Sequence, residues 1–185
     1  MNKVIAAINL TIDGYCDHTA GIPDQEIHHH YSELLKNAAV ILYGRKTYQL
    51  MQYWQTILKN PSEDKSMFEF AQAIDKIEKI VFSNTLKDLQ WESARFANYD
   101  LKHEVDELKK LANGDILVGS PGLINALTHL ELIDEYQLCI HPVVLGNGLA
   151  LFKNNSEKLT LKLVGTKTFP NGAVILYYHP TLAEG

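Results

Sequence analysis

With 185 residues and 46% hydrophobic side chains, the chain is long enough for one well-buried domain, residues 1–185, and short for two. A formal net charge of −5 argues against a general nucleic-acid or membrane surface, because either would favour a basic face, so any anion binding must be local. The two cysteines, Cys16 and Cys139, lie far apart without metal or redox spacing, which excludes a disulfide framework and fits a reducing cytoplasm.

The first strand signal is KVIAAINL, and the amino-terminal stretch around it lacks the apolar core and cleavage pattern of a secretory signal. No run anywhere approaches about 18 apolar residues, so the expectation is a soluble, unprocessed, cytoplasmic protein. Asp13-Gly14 follows as a turn, chosen either for its geometry or for a place beside a substrate. PDQEIHHHYSELL then reads as a helix over 24–37. Its run His28-His29-His30 is not a metal site, because consecutive helical residues diverge by about 100° and their rings cannot converge.

VILY is a buried strand that changes at Gly44 into a helix predicted over 45–58. Gly44-Arg45-Lys46-Thr47 thus places two cations and a hydroxyl at a helix start, suited to an anion or simply meeting solvent. It is not a Walker A loop, since the second glycine and the spacing are missing. KNPSEDKS is a polar loop before a helix over 65–75. After the strand KIVFS, Ser83, Asn84 and Thr85 either ring a sugar or phosphate or form an ordinary polar turn.

A helix over 101–112 precedes DILVGS, where Gly119 ends a strand, Ser120 stands at an N-cap position and Pro121 opens a helix over 121–130. This helix start is open to an anion, though simple capping also explains it, and G-S-P-G is not the dinucleotide G-x-G-x-x-G. YQLCIHPVVL is the next strand, with Tyr136 and Cys139 expected in the core and Pro142 suggesting an edge or a bulge. KLTLKLVGTKTF and AVILYYHP flank Pro170-Asn171-Gly172, a tight-turn signal that predicts a closing antiparallel hairpin. The alternation of strands and helices indicates an α/β sheet, parallel in the centre. A doubly wound flavodoxin-type fold would share that rhythm but leave the antiparallel finish unexplained.

Taken together, INLTIDGY, YGRKTY, KIVFSNTL, DILVGSPGLINAL and LIDEYQLCIHPVVLGNGLALF resemble the dihydrofolate reductase-like superfamily. Within it they are similar to the reductase domain at the C-terminus of the bacterial riboflavin-biosynthesis deaminase-reductase, in family order over about residues 3–178. The resemblance implies a three-layer α/β fold, with a mixed, mostly parallel central sheet flanked by helices and a C-terminal antiparallel hairpin. It implies NADPH as cofactor, with Gly44, Arg45, Lys46 and Thr47 on the adenosine side and Ser83 and Asn84 beside the 2′-phosphate. Gly119, Ser120, Gly122 and Leu123 would serve the pyrophosphate, and Ala6 and Ala7, with the 12–15 loop, would lie near the nicotinamide. The family's Gly-Gly pair reads Gly119-Ser120 here, and its Ser-Arg reads Ser83-Asn84, which removes one cation from the 2′-phosphate pocket.

The implied activity is hydride transfer to a small heterocyclic substrate, a pterin or a 5-amino-6-(5-phosphoribosylamino)uracil-like compound, by a homodimer joined through its C-terminal strands. Dihydrofolate reductases proper use a carboxylate on the helix before the Gly-Arg strand for protonation, and none matches it here. His28, one helical turn after Asp24, lies near that position, so the two could form a proton-donating couple or be exposed polar residues. Asp13 is a third catalytic candidate, because the related Leu-Asp-Gly turn borders the substrate pocket in the riboflavin branch. The missing carboxylate equally suits a non-catalytic nucleotide-binding or sensing module on the same fold.

Overall fold

The computed structural model describes residues 2–61, 63–153 and 158–181. Strand β1 (Val4–Thr11) sends Val4, Ala6, Ile8 and Leu10 to one face of the sheet, and the period of two puts Ile5 on the other. Around it lie β2 (Ala38–Gly44), β3 (Glu78–Phe82), β4 (Ala94–Phe96), β5 (Asp115–Val118), β6 (Glu135–His141), β7 (Leu161–Thr168) and β8 (Val174–Pro180). They form one sheet in the order β4-β3-β2-β5-β1-β6-β8-β7. Every pairing from β4 to β6 is parallel, and β8 runs antiparallel to both β6 and β7.

Helices cover both faces, giving three layers. Val105 of α5 (Leu101–Leu111) and Ile124 and Leu127 of α6 (Pro121–His129) pack on the face of Val4 and Ala6. Residues of α1 (Gln25–Lys36), α2 (Arg45–Met51) and α4 (Lys65–Lys76) pack on the face of Ile5, Ile41 and Leu117. Among the described residues no helix is long and apolar enough to cross a membrane.

Four local features depart from the sequence pattern. The helix predicted over 45–58 is broken at Gln52 into α2 and α3 (Tyr53–Lys59), with a tight Gln55 N–H to Gln52 O bond of 3.1 Å. Its inward residues Tyr48, Met51, Trp54 and Ile57 recur every three positions, so a local 3₁₀ turn keeps them on one side where 3.6 residues per turn would rotate them away. β4 has only three residues and is held by its parallel register with β3, too short to leave a sequence period. β6 stops at His141, inside the sheet between β1 and β8, so Pro142 ends a central strand; it marks neither an edge nor a bulge. The hairpin closes with Gly172 N–H on Phe169 O at 3.0 Å and Phe169 N–H on Ala173 O at 2.9 Å, and only Gly172, at φ 87°, is left-handed, so a three-residue loop, Pro170-Asn171-Gly172, stands where a two-residue Asn-Gly loop would.

Candidate functional site

The parallel strands β3, β2 and β5 end nearly level: Gly44 pairs with Phe82, and Val118 pairs with Leu42 and with Ala6. The segments that follow, carrying Thr47, Ser83 and Ser120, therefore share the carboxyl edge of the sheet. At about 4.8 Å between neighbouring strands, the span from β3 to β1 is about 14 Å.

The α2 and α6 starts are tied together by a side chain. Ser120 is the N-cap residue of α6 but caps nothing; its buried Oγ accepts the Gly44 N–H at 2.9 Å. Gly44 caps α2 without a side chain. The N–H groups of Arg45, Lys46 and Thr47 on one helix, and of Gly122 and Leu123 on the other, thus lack a side-chain cap. Gly44 is corrected as an anion donor, because its N–H is engaged. Arg45 and Lys46 are exposed, and among the described residues neither forms a salt bridge. A Cβ built at Gly122 would meet nothing within 4 Å, whereas one at Gly119 would lie 3.5 Å from the Tyr43 ring and 3.9 Å from Ala7 O. The edge between the helix starts is open, and Gly119 adjoins Ala7.

Ser83 is committed to its own turn, accepting the Leu86 and Thr85 N–H groups at 3.0 and 3.2 Å, while Asn84 is exposed beside it. Ala6 is fully buried on the α5–α6 face, so it does not reach the site from the side where Ala7 is partly exposed.

The three acid-base candidates are not brought together. Asp13 accepts from Thr11 Oγ1 at 2.6 Å, from Gly146 N at 2.7 Å and from Leu145 N at 3.1 Å. Those bonds hold its carboxyl below the usual range, so at neutral pH it is an ionised loop clamp with no proton to give. Asp24 caps α1 through the Ile27 N–H at 2.9 Å. His28 turns toward α3 and α4, with Nδ1 3.3 Å from Ser66 Oγ and its ring edge-on to Trp54 at 5.8 Å. Only the backbone joins it to Asp24, the His28 N–H donating to Asp24 O at 3.0 Å, with no side-chain hydrogen bond between them among the described residues, and burial lowers its pKa against the pull of Asp64 and Asp24. The expected couple is therefore corrected to two residues with separate partners. The other histidines of the run diverge too, His29 toward Glu69 at 3.8 Å and His30 toward Phe169.

A polar cluster that the sequence reading passed over lies where β1 runs past the end of β5. Asn9 Oδ1 sits 3.1 Å from both Tyr31 Oη and His141 Nε2, and His141 Nδ1 accepts the Ile22 N–H at 3.1 Å. Asn9 is exposed on a central strand, which marks a gap in the helix layer. The one signal available in the sequence was Asn9, a polar residue interrupting the row begun by Ile5 and Ala7 in KVIAAINL.

Comparison with known proteins adds the lineage. The family model described as the RibD C-terminal domain matches residues 2–175. The uncharacterized protein YyaP of Bacillus subtilis (strain 168) is 36% identical over 183 residues, covering 96% of this chain and 94% of its own. A putative riboflavin biosynthesis protein from Shewanella sp. PV-4 superimposes with a TM-score of 0.71 at 18% identity, over 97% of this chain and 99% of that one. RibD of Acinetobacter baumannii gives a TM-score of 0.67 at 14% identity, over 98% of this chain and 59% of that one.

Proposed function

Because the chain belongs to the RibD C-terminal domain family, within the dihydrofolate reductase-like reductases, we propose that it is an NADPH-dependent reductase of a small heterocyclic substrate. The observation that carries this reading is the pair of helix starts without side-chain caps, α2 and α6, tied by Ser120 and Gly44 and flanked by two cations that form no salt bridge among the described residues. Uncapped N–H groups and unpaired cations are what a diphosphate requires.

In this reading the N–H groups of Gly122 and Leu123 hold the pyrophosphate, and Arg45, Lys46 and Thr47 hold the adenosine-side phosphate with Asn84 beside it. Ser120 positions both helix starts, and Gly119 lets the ring lie against Ala7. Bound NADPH supplies the hydride; the protein supplies orientation and a water-poor pocket. The substrate class is a pterin or a 5-amino-6-(5-phosphoribosylamino)uracil-like ring, and the compartment is the cytoplasm. The partner is a second copy of the chain. β7 is the sheet's edge and carries Leu163 and Val164, 50% and 47% exposed, a surface that favours pairing.

A second reading, a binding or sensing module without turnover, is favoured by Asp13, Asp24 and His28 each being engaged elsewhere. Fluorescence titration with NADPH and NADH tests both readings, and absence of binding at high micromolar concentration ends both. NADPH oxidation against a panel of pterins, quinones and aminopyrimidines separates them, since a sensor binds without turnover. Light scattering at micromolar protein concentration reads the dimer, and Val164→Lys should shift it to monomer.

A further inference from the structure

The Asn9 cluster fixes the direction of an amide. A backbone N–H can only donate, so the Ile22 N–H at 3.1 Å makes Nδ1 the bare nitrogen of His141 and leaves the proton on Nε2. Burial lowers the His141 pKa despite the pull of Asp24, which keeps the ring neutral at pH 7. Nε2–H therefore donates to Asn9 Oδ1 at 3.1 Å, and the Tyr31 hydroxyl donates to the same oxygen at 3.1 Å. With two donors on one oxygen, Nδ2 is turned away from both, and among the described residues it meets no acceptor.

The surroundings describe what that amide meets. β5 ends at Val118, opposite Ala6, so Ala7 and Asn9 project from β1 without a β5 neighbour. Ile12, Ile22 and Val144 are 62%, 54% and 69% exposed. Their loops are joined to this corner by the Ile12 N–H to Val143 O bond, 2.9 Å, and by the Ile22 bond to His141. These three side chains give the rim apolar surface, and within the Asn9 cluster the group turned outward is a donor.

We propose that Asn9 selects the substrate. Its Nδ2 donates to a carbonyl oxygen of a planar, uncharged heterocycle seated over Ala7, and Tyr31 and His141 are positioning residues that orient the amide. The proposal rests on the reductase reading of this cleft and narrows its substrate to an uncharged ring bearing a carbonyl.

The test uses two pteridines that differ only in the groups they present: 2,4-dioxopteridine, with carbonyls, and 2,4-diaminopteridine, with amino groups at the same positions. Asn9→Asp keeps an oxygen for Tyr31 and His141 but replaces the donating NH₂ with a second acceptor. Titrated with and without NADPH, the wild type should bind the dioxo compound at least about 10-fold more tightly, and Asn9→Asp should reverse that order, because a mismatched polar group is rejected strongly. NADPH affinity should stay within about 2-fold, since the change lies off the phosphate side. If Asn9→Asp does not fold, Tyr31→Phe should narrow the wild-type preference at least about 3-fold by removing one orienting bond. No binding of either pteridine, no preference in the wild type, or an unchanged preference in the variant that folds overturns the proposal. Failure of the wild type to bind NADPH overturns the reductase reading instead, while the pteridine preference measured without cofactor still decides the role of Asn9.

Discussion

The two edges of the parallel sheet treat charge in opposite ways. At the amino edge the strand starts are sealed: Asp115 accepts the Lys3 N–H at 2.8 Å, Asp134 accepts the Val4 N–H at 2.7 Å, and Lys109 pairs with Asp134 at 2.7 Å. Glu135 adds Lys3 at 3.1 Å and His179 at 3.2 Å. At the carboxyl edge, Arg45 and Lys46 pair with nothing among the described residues, and two helix starts lack side-chain caps. The first edge spends its charges on the fold, and the second leaves its donors for a ligand.

Acid should separate the edges most strongly. His28, His30 and His141 all have pKa values lowered chiefly by burial, His30 to about 4 with Lys167 and His29 contributing. Each binds its proton more weakly when folded than when unfolded, so its stabilisation is complete above about pH 6.5 and declines as pH falls below it. For His30 the loss should be on the order of 2 kcal/mol by pH 4, after allowing for solvent screening. Burial pushes the Glu135 carboxyl up, but bonds from Gln137, Lys3 and His179 outweigh it and hold it below its ordinary 4.5. The amino edge should therefore loosen only as pH falls below about 4.5. Thermal unfolding midpoints of wild type and of His30→Phe between pH 8 and 3 check the order; a wild-type midpoint that stays flat from pH 7 to 5 would break the contrast.

Removing both cations, Arg45→Ala with Lys46→Ala, should cost about 10- to 100-fold in NADPH affinity, as charge-assisted phosphate bonds do. Stability should stay within about 0.5 kcal/mol, since exposed unpaired side chains contribute little. Titration and urea unfolding of the same preparation report both quantities. At the sealed edge, Asp134→Ala should do the reverse: a loss of about 1–2 kcal/mol as the Val4 N–H and Lys109 lose their acceptor, with NADPH affinity unchanged. Gly122→Asp gives a small change in stability, a gain of about 0.3–1 kcal/mol from a carboxylate at the α6 N-terminus. The same carboxylate should repel the diphosphate, so a gain in unfolding midpoint accompanied by undiminished NADPH binding would remove α6 from the site.

Much of the frame was legible because period and punctuation are local. The apolar runs of β1, β2 and β5, Pro121 at the start of α6, and the β7–β8 hairpin were all readable in order. The Gln52 break was less legible, since the three-residue spacing of Tyr48, Met51, Trp54 and Ile57 matters only against a surface that the rest of the chain builds. β4 left no trace because three residues carry no period. In the site, proximity along the chain suggested an Asp24–His28 couple, whereas packing sends His28 to Ser66 and leaves Asp24 to cap its own helix. Asn9 and His141 are 132 residues apart in sequence, so no spacing argument could pair them.

By itself, the sequence determined which segments become strands and helices and that a glycine, two cations and small polar residues follow the strand ends, because these depend on side-chain periodicity and backbone freedom over a few residues. Only the tertiary structure decided that Ser120 would bind Gly44 in place of capping its own helix, and that His141, Tyr31 and Asn9 would share one oxygen. The physical reason is range: hydrogen bonds act over about 3 Å, and distant segments come within that reach only when parallel strands place their ends side by side.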